Sequence, residues 1–201
     1  MSTLSRPRPV LALMLGLSGA AGAAPCAGPD PADVKIGGYL GRRLDACLER
    51  AVKATDGQYL TAVFKTRKET STWQSEFWGK WMHAAVPFYR YSRDAALKAN
   101  IDASVKTLLA TQREDGYIGN YTDAAQLKGP WDVWGRKYTM LGLLLYHDLT
   151  GDKAALTAAC RVADHLMTQV GPGLQDLYKV GAYNGMASCS VLEPVLRLHA
   201  R

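Results

Sequence analysis

Four segments of the chain place aromatic rings next to acids, amides or an arginine: Trp73–Trp81, Asp115–Tyr121, Pro130–Tyr138 and Tyr183–Ser188. Such combinations suit sugars, because the C–H face of a sugar ring packs on an aromatic ring while its hydroxyls need hydrogen-bond partners. The segments therefore predict a carbohydrate site. Its candidate substrate-binding residues are Gln74, Glu76, Asp115, Tyr117, Trp131, Asp132, Trp134, Arg136, Asn184 and Met186.

Several residues in these segments also have a structural interpretation. Gln74 and Glu76 stand where a helix is expected to begin, so ligand binding and capping of the helix N-terminus are both open for them. Asp132 is open to the same two interpretations. Trp78 and Trp81 are three positions apart on the same helix, which favours packing in the core.

Apolar residues recur at helical spacing along almost the whole chain after Pro31, which predicts an all-α fold with no convincing strand. The predicted helices run from about Leu40 to Val52, from Phe77 to Tyr91, from near Asp94, from Val133 to Leu149, from Asp152, and from Ala187 to the end of the sequence. Pro194 would kink the last helix or mark a looser first turn, because proline has no backbone N–H.

The helices repeat as pairs. Tyr91–Leu97 resembles Leu149–Leu156, which gives a repeating unit of about 58 residues made of helix, tight turn, helix and long loop. In a stacked array of such αα-hairpins, the tight turns fall at one end and the long loops at the other. The aromatic-rich loops, which include 115–132 and 171–186, would then gather at a common rim, where binding residues tend to lie.

The number of hairpins predicts an incomplete ring. The chain holds about three hairpins, whereas a closed toroid of six would need roughly 350 residues. The predicted fold class is therefore all-α, an αα-hairpin array forming about half of an (α/α)6 toroid, either as an open arc or as a fragment of a longer protein. The last helix would then leave apolar side chains without a partner, which predicts aggregation or loose folding of the isolated chain. These are Val191, Leu192, Val195 and Leu198.

The N-terminus has the three parts of an export signal. Arg6 and Arg8 supply positive charge, Val10–Leu17 is a short apolar stretch, and Ala21–Ala23 offers small residues for cleavage. The predicted domains are a signal peptide at 1–23, a linker at 24–37 and the N-terminal part of a toroid domain at 38–201. The mature protein is expected to be periplasmic or secreted.

Charge and hydropathy argue against two classes of partner. The formal net charge of +6 falls to +4 when Arg6 and Arg8 leave with the leader, and the remaining basic residues are scattered among acids. That pattern is typical of a solvated surface rather than of a nucleic-acid-binding stripe. No apolar run approaches the roughly 18 residues that a membrane span needs. We therefore expect neither nucleic acid nor membrane as a partner, and the oligomeric state is left open.

Four cysteines, Cys26, Cys47, Cys160 and Cys189, fit structural roles. In an exported protein they allow disulfides, with three alternative pairings. Their spacing matches no zinc pattern. Cys189 stands between two serines like a nucleophile, but no histidine has a sequence-evident relation to it. No metal ligand or cofactor is therefore assigned to this chain.

The four aromatic segments, in their order and spacing, resemble glycoside hydrolase family 127 and its close relatives. The matching motifs are Glu76–Trp81, Asp115–Tyr121, Trp131–Tyr138 and Gly185–Pro194, and the resemblance runs from about Gly38 to Arg201. It implies an (α/α)6 toroid followed by β-rich domains. It also implies a β-L-arabinofuranosidase that removes β-linked L-arabinofuranose, or a related rare sugar, from plant glycans.

The same resemblance implies a zinc-held cysteine nucleophile and a glutamate acid/base in the full-length proteins. Nothing in this sequence matches that cysteine-rich zinc motif, so no catalytic residue is assigned here and the chain is expected to be inactive alone. Family members also place histidines in the sugar pocket, whereas Trp131, Trp134 and Met186 occupy that neighbourhood here. The identity of the sugar is therefore open.

Two other functions stay open. The first is a non-catalytic helical-repeat protein that binds carbohydrates or peptides. The second is a toroid hydrolase that works with paired carboxylates, for which the local candidates are Glu76, Asp115, Asp132 and Glu193.

Overall fold

The computed structural model describes residues 28–201, so the predicted signal peptide and residues 24–27 lie outside the described range. Within that range the chain is helical and confirms the all-α class, and β-type pairing is limited to two isolated bridges. The α-helices are α1 (Gly38–Cys47), α2 (Ala62–Thr66), α3 (Glu76–Ser92), α4 (Ala95–Leu109), α5 (Asp132–Thr150), α6 (Lys153–Met167), α7 (Met186–Cys189) and α8 (Leu192–His199). A π-helical segment, Leu48–Val52, continues α1. None of these helices is long and apolar enough to cross a membrane.

The predicted helical hairpins are formed by α3 with α4 and by α5 with α6. Their turns are built alike. Arg93 and Gly151 end the first helices in the left-handed conformation, with φ of 54° and 75°. Asp94 and Asp152 then cap the second helices, since each carboxylate accepts hydrogen bonds from backbone N–H groups of the first turn. The sequence repeat thus corresponds to a repeated turn, in which a left-handed residue ends one helix and an aspartate caps the next.

Helices α3 and α5 lie side by side and run in the same direction. Near their N-terminal ends, a Cβ atom added to Gly79 would lie 2.2 Å from the carbonyl oxygen of Tyr138, so glycine is needed where the two backbones meet. At their C-terminal ends, the guanidinium of Arg90 donates to the carbonyl oxygen of Asp148 at 3.2 Å. The two hairpins therefore stack in register.

Helix α8 runs in the same direction as α5. Near its start Glu193 lies 3.7 Å from the Lys137 ammonium, and beyond its end Arg201 pairs with Asp148. Helices α3, α5 and α8 consequently begin at one end of the molecule, and the loops that lead into them meet there. For example, the N–H of Ala182 donates to the carbonyl oxygen of Pro130 at 2.8 Å.

The end of the chain differs from the prediction of one helix from Ala187 onward. The structure divides it into α7 and α8, and Pro194 lies in the first turn of α8, where its missing N–H costs no helical bond. Val191 is buried at the break, contrary to the expectation that it lacks a partner. Leu192 and Leu196 are more than half exposed on α8.

The core prediction for the first aromatic segment is confirmed. Trp78 is fully buried and its indole N–H donates to the Ser104 hydroxyl at 3.1 Å. Trp81 is also buried, and its indole N–H donates to the carbonyl oxygen of Val52 at 3.0 Å. Both rings thus fill the core while their polar atoms are satisfied, which is the usual condition for burying tryptophan.

Candidate functional site

A cavity of about 310 Å³ opens at the rim where α3 and α5 begin. Its lining comes from three of the aromatic segments and consists of Trp73, Glu76, Lys80, Trp131, Trp134 and Tyr183. Three predicted binding residues, Glu76, Trp131 and Trp134, are therefore brought together here. We refer to this space as the aromatic cavity.

Trp131 is the centre of the aromatic cluster in this cavity. Its ring centroid lies 6.0 Å from that of Trp73, 5.9 Å from that of Trp134 and 5.7 Å from that of Tyr183. All three pairs meet edge to face, the arrangement that the ring quadrupoles favour. Trp73 is about half exposed and Tyr183 is largely exposed, so aromatic surface is open to a ligand at this rim.

Glu76 supplies the carboxylate of the aromatic cavity. Its Oε1 accepts a hydrogen bond from the Lys80 ammonium at 2.7 Å, and its Oε2 accepts one from the indole N–H of Trp134. The carboxylate thus accepts from side chains of the cavity, whereas the backbone N–H groups of Glu76 and Phe77 donate to the carbonyl oxygens of Trp73 and Gln74, which favours the binding interpretation over capping. The Lys80 ammonium also lies 5.7 Å from the Trp134 ring centroid, within cation–π range.

Asp132, Tyr117 and Arg136 form a buried polar network beneath the rim. Asp132 Oδ1 accepts from the Tyr117 hydroxyl at 2.8 Å, and its Oδ2 accepts from Arg136 at 2.5 Å and from the backbone N–H of Leu127 at 3.0 Å. Burial, with the Asp132 charge adding to it, raises the pKa of Tyr117 well above its usual value. All three predicted site residues are at most 2% exposed.

Burial also keeps the rings of the Asp115–Tyr121 loop away from a ligand, although Tyr117 was a candidate substrate-binding residue. Tyr117 and Tyr121 are both fully buried, because each hydroxyl has an internal acceptor. The acceptors are the carboxylate of Asp132 and the carbonyl oxygen of Thr72, both 2.8 Å away. The loop contributes rigidity to the rim rather than exposed rings.

Arg136 extends the network to α6 and beyond. Its Nη1 donates to Oε1 of Gln169 at 2.6 Å and lies 3.3 Å from Nδ1 of His165. The first turn of α5 is thereby tied to the opposite helix of its own hairpin. Since Trp131 and Trp134 stand on either side of Asp132, the network holds two walls of the aromatic cavity in position.

The remaining predicted residues lie outside the lining of the aromatic cavity. Gln74 lines a different cavity. Asp115 is exposed and pairs with Arg113 at 3.0 Å. Asn184, in the same loop as the lining residue Tyr183, and Met186, the first residue of α7, are both exposed. The structure thus gathers three of the ten predicted residues in the cavity itself.

Trp73, Lys80 and Tyr183 line the cavity and were not among the candidates. Each belongs to one of the four aromatic segments, so the signal was present in the sequence. Lys80 stands four positions after Glu76, a spacing that places the two side chains on one face of a helix. Trp73 and Tyr183 are loop residues, for which helical periodicity gives no guide.

The structure does not assemble the pair of carboxylates that the alternative hydrolase required. Asp132 is committed to Arg136, Asp115 to Arg113, and Glu193 to Arg197 and Lys137 on α8 and α5. Among the residues described, the lining of the aromatic cavity includes one carboxylate, that of Glu76. That alternative is therefore not supported by this geometry.

The described residues also do not fit a zinc centre. In residues 28–201, no three His, Cys, Asp or Glu side chains come close enough together to hold a metal ion. Cys47, Cys160 and Cys189 lie on α1, α6 and α7 and form no disulfide with one another. We therefore derive no chemical step through a metal for these residues.

Glu69 organises the loop that leads into the site. Its Oε1 accepts from the backbone N–H groups of Thr70, Ser71 and Thr72 at 2.8 to 3.0 Å, and its Oε2 accepts from the Thr72 hydroxyl. The Thr72 hydroxyl and these N–H groups lower the pKa of Glu69 to about 2. The ionised carboxylate thus fixes the backbone immediately before Trp73.

Replacing Glu69 by glutamine is expected to lower the free energy of unfolding by about 1 kcal/mol at pH 7. The folded pKa lies below the ordinary value of 4.5, so the ionised form stabilises the fold above about pH 4.5 and this contribution is lost as pH falls towards 2. Urea unfolding from pH 7 to pH 2 measures the difference. Glu114→Gln, at an exposed position, is the control, and a constant Glu69→Gln deficit across this range would contradict the assignment.

A comparison with protein families identifies the family of this chain. The family model described as beta-L-arabinofuranosidase, GH127 catalytic domain, matches residues 39–191 of the 201-residue chain. A comparison with curated proteins gives no match. The matched range contains every residue that lines the aromatic cavity. On this match, the chain belongs to the GH127 β-L-arabinofuranosidase catalytic-domain family of glycoside hydrolases.

Proposed function

We propose that the aromatic cavity binds a β-L-arabinofuranosyl unit of a plant-derived glycan, as part of a β-L-arabinofuranosidase. The observation that carries this proposal is the junction of an exposed aromatic cluster with a carboxylate that two neighbours hold in place. Trp131 and Trp134 offer apolar contact for the sugar ring, and Glu76 offers an acceptor for a hydroxyl. A cavity of about 310 Å³ is of the size that small-molecule sites have.

An (α/α)6 toroid is the architecture that we propose for the complete domain. The parallel course of α3, α5 and α8 supports it, because a ring of helical hairpins needs inner helices that run the same way. Helices α4 and α6 return in the opposite direction as the second helices of their hairpins. The rim where the inner helices begin carries the cavity, as expected for loops that bear function.

Binding and orientation are the tasks that this chain's own residues can perform. Glycoside hydrolysis requires both a nucleophile or base and an acid beside the scissile bond. The described lining of the aromatic cavity offers Glu76, whose two oxygens already accept from Lys80 and Trp134. We propose that Glu76 orients a sugar hydroxyl and that the bond-breaking groups come from residues that do not line this cavity.

A non-catalytic carbohydrate- or peptide-binding protein is the second candidate. The described lining of the aromatic cavity has a single carboxylate, whereas glycoside hydrolysis needs two catalytic groups. This favours a binding protein over a hydrolase that works with these residues alone. The two functions differ in one measurable product. Incubation of the full chain with p-nitrophenyl β-L-arabinofuranoside releases p-nitrophenol if the chain catalyses hydrolysis, and leaves the glycoside intact if it only binds.

Tryptophan fluorescence tests the binding proposal, since three tryptophans line the cavity. We expect methyl β-L-arabinofuranoside to change the emission saturably, and to bind at least about tenfold more tightly than the matched α-anomer. Methyl β-D-xylopyranoside serves as a second control of similar composition. Equal binding of all three glycosides, or no saturable change with any of them, would contradict a site for β-L-arabinofuranose.

A further inference from the structure

Tyr183, one of the rings that line the aromatic cavity, has a left-handed backbone conformation with φ of 56°. This conformation is unfavourable for residues with a Cβ atom, because the Cβ lies too close to the following carbonyl oxygen. Glycine, asparagine and aspartate adopt it most readily, whereas a bulky aromatic residue there indicates a strained backbone. The cavity therefore includes a side chain whose position requires an unfavourable backbone.

Four other residues with a side chain have a positive φ in the described part of the chain, and each has a local reason for it. Arg67 and Arg93 end helices, a position where the left-handed conformation is common. Leu127 packs against the core, and its N–H donates to a carboxylate of the buried polar network at 3.0 Å. Asn184 is an asparagine, a residue type that tolerates this conformation. None of these reasons applies to Tyr183.

The chain on both sides of Tyr183 fixes this conformation. Before it, the N–H of Ala182 donates to the carbonyl oxygen of Pro130 at 2.8 Å. After it, the N–H of Met186 donates to the carbonyl oxygen of Tyr183 at 3.1 Å and closes a tight turn. The two central residues of that turn are an Asn-Gly pair with positive φ, which is typical of a type I′ turn. Strain at Tyr183 persists because its neighbours on both sides are held in place.

The side chain of Tyr183 contributes little to the core, because it is 72% exposed. Its ring meets that of Trp131 edge to face, with 5.7 Å between the centroids and 75° between the planes. Trp131 is in turn the ring that meets Trp73 and Trp134. Core packing therefore does not account for the strain, and the contact that the strained residue makes is with the central ring of the aromatic cluster.

We propose that Tyr183 is a positioning residue, whose strained backbone places its ring against Trp131 so that the aromatic cavity is ordered before its ligand arrives. The identity of the ligand rests on the proposed function, whereas the strain does not. A ring that is already fixed avoids the loss of side-chain freedom that binding otherwise requires. The folded state is consequently less stable than it would be with a relaxed backbone at this position.

Alanine and glycine at position 183 test the strain, because both remove the ring but only alanine keeps the Cβ atom. Urea unfolding of the full chain should give a folding equilibrium constant about five- to thirtyfold larger for Tyr183→Gly than for Tyr183→Ala. If the constant for Tyr183→Gly is equal to or smaller than that for Tyr183→Ala, the backbone is not strained and the inference is wrong.

Tyr178 provides the matched control for this pair of variants. It is 60% exposed in the short 3-10 helix Leu177–Lys179 and is not among the described residues with a positive φ. The order should reverse there, with a folding equilibrium constant about two- to fivefold smaller for Tyr178→Gly than for Tyr178→Ala. The same order at both positions would contradict a strain that is specific to Tyr183.

Ligand binding separates a positioning role from a purely structural one. Calorimetric titration with methyl β-L-arabinofuranoside should show about five- to tenfold weaker binding for Tyr183→Ala and Tyr183→Gly, and affinity within about twofold of wild type for Tyr183→Phe. The glycine variant thus regains stability over the alanine variant without regaining affinity. Wild-type affinity in Tyr183→Gly, or a loss in Tyr183→Phe as large as that in Tyr183→Ala, would argue against the positioning role.

Acrylamide quenching of tryptophan emission tests the same role without a ligand. Tyr183→Ala should raise the quenching constant, because the ring that contacts Trp131 is removed, and Tyr183→Phe should leave it unchanged. If the wild-type chain does not bind the arabinofuranoside, the proposed function fails, while urea unfolding and quenching still decide the strain and the ring placement. An unchanged quenching constant in Tyr183→Ala would show that Tyr183 does not hold Trp131, and would overturn the inference.

Discussion

Replacing Arg136 by methionine is expected to lower the free energy of unfolding by about 3–5 kcal/mol. The guanidinium is fully buried and lies 2.5 Å from the buried carboxylate of Asp132. Methionine fills much of the space but leaves Asp132 without its positive partner, and an unpaired buried carboxylate is strongly unfavourable. The variant should also loosen the contact to Gln169, which the same guanidinium makes at 2.6 Å. Urea denaturation at pH 7 measures the loss.

Arg197→Met is the matched control for this variant. Arg197 donates to Glu193 at 3.0 Å with the same spacing of four residues along a helix, but both side chains are 43% exposed. Exposed pairs of this kind contribute about 0.3–0.5 kcal/mol. If the two substitutions lower the free energy of unfolding by comparable amounts, burial does not strengthen the Arg136–Asp132 pair. The buried polar network would then not be what stabilises the rim.

Much of the fold follows from local sequence. Asp94 and Asp152 mark helix starts through their capping chemistry, and the residues before them mark tight turns, so the two hairpins are predictable without tertiary information. The short helix α2 and the division between α7 and α8 are not. A helix of five residues is unstable by itself and forms only where its neighbours hold it, as they do for the buried ring of Phe64.

Three of the ten predicted site residues line one cavity, but the sequence did not distinguish the predicted residues that are buried from those that are exposed. Asp132 and Arg136 look like surface residues, because aspartate and arginine are rarely buried unless paired. Their burial depends on Tyr117, which arrives from a loop fifteen positions earlier and covers the carboxylate. Periodicity within one helix contains no information about such a contact. The same applies to Trp73 and Tyr183, which approach Trp131 from two separate loops.

The start of α5 thus carries both the buried residues that hold the rim in place and the residues that we propose to bind the ligand. In the segment from Trp131 to Arg136, two faces of the helix start have different surroundings. Asp132 and Arg136 face inward and fix the backbone, whereas Trp131 and Trp134 face the aromatic cavity. A change in the inner layer should therefore act on stability first, and a change in the outer layer on ligand binding first.

Replacing Trp131 by alanine should weaken binding of methyl β-L-arabinofuranoside by about 2 kcal/mol, or about thirtyfold. Its ring contacts Trp73, Trp134 and Tyr183, so its removal takes away a ring that we propose packs on the sugar and also frees the three rings around it. Stability should fall by only about 1 kcal/mol, since Trp131 is a partly exposed rim residue and not part of the core. Calorimetric titration and urea unfolding of the same preparations measure the two effects.

Tyr39→Ala is the control for this substitution, because Tyr39 is an aromatic residue on α1 that is 66% exposed and does not line the aromatic cavity. It should leave the affinity unchanged. If Trp131→Ala instead retains wild-type affinity while its free energy of unfolding falls by several kcal/mol, the aromatic cluster serves only to stabilise the fold and the sugar binds elsewhere. A loss of affinity with the fold preserved shows that the rings recognise the ligand directly, because the inner pair of Asp132 and Arg136 still holds the start of α5 in position.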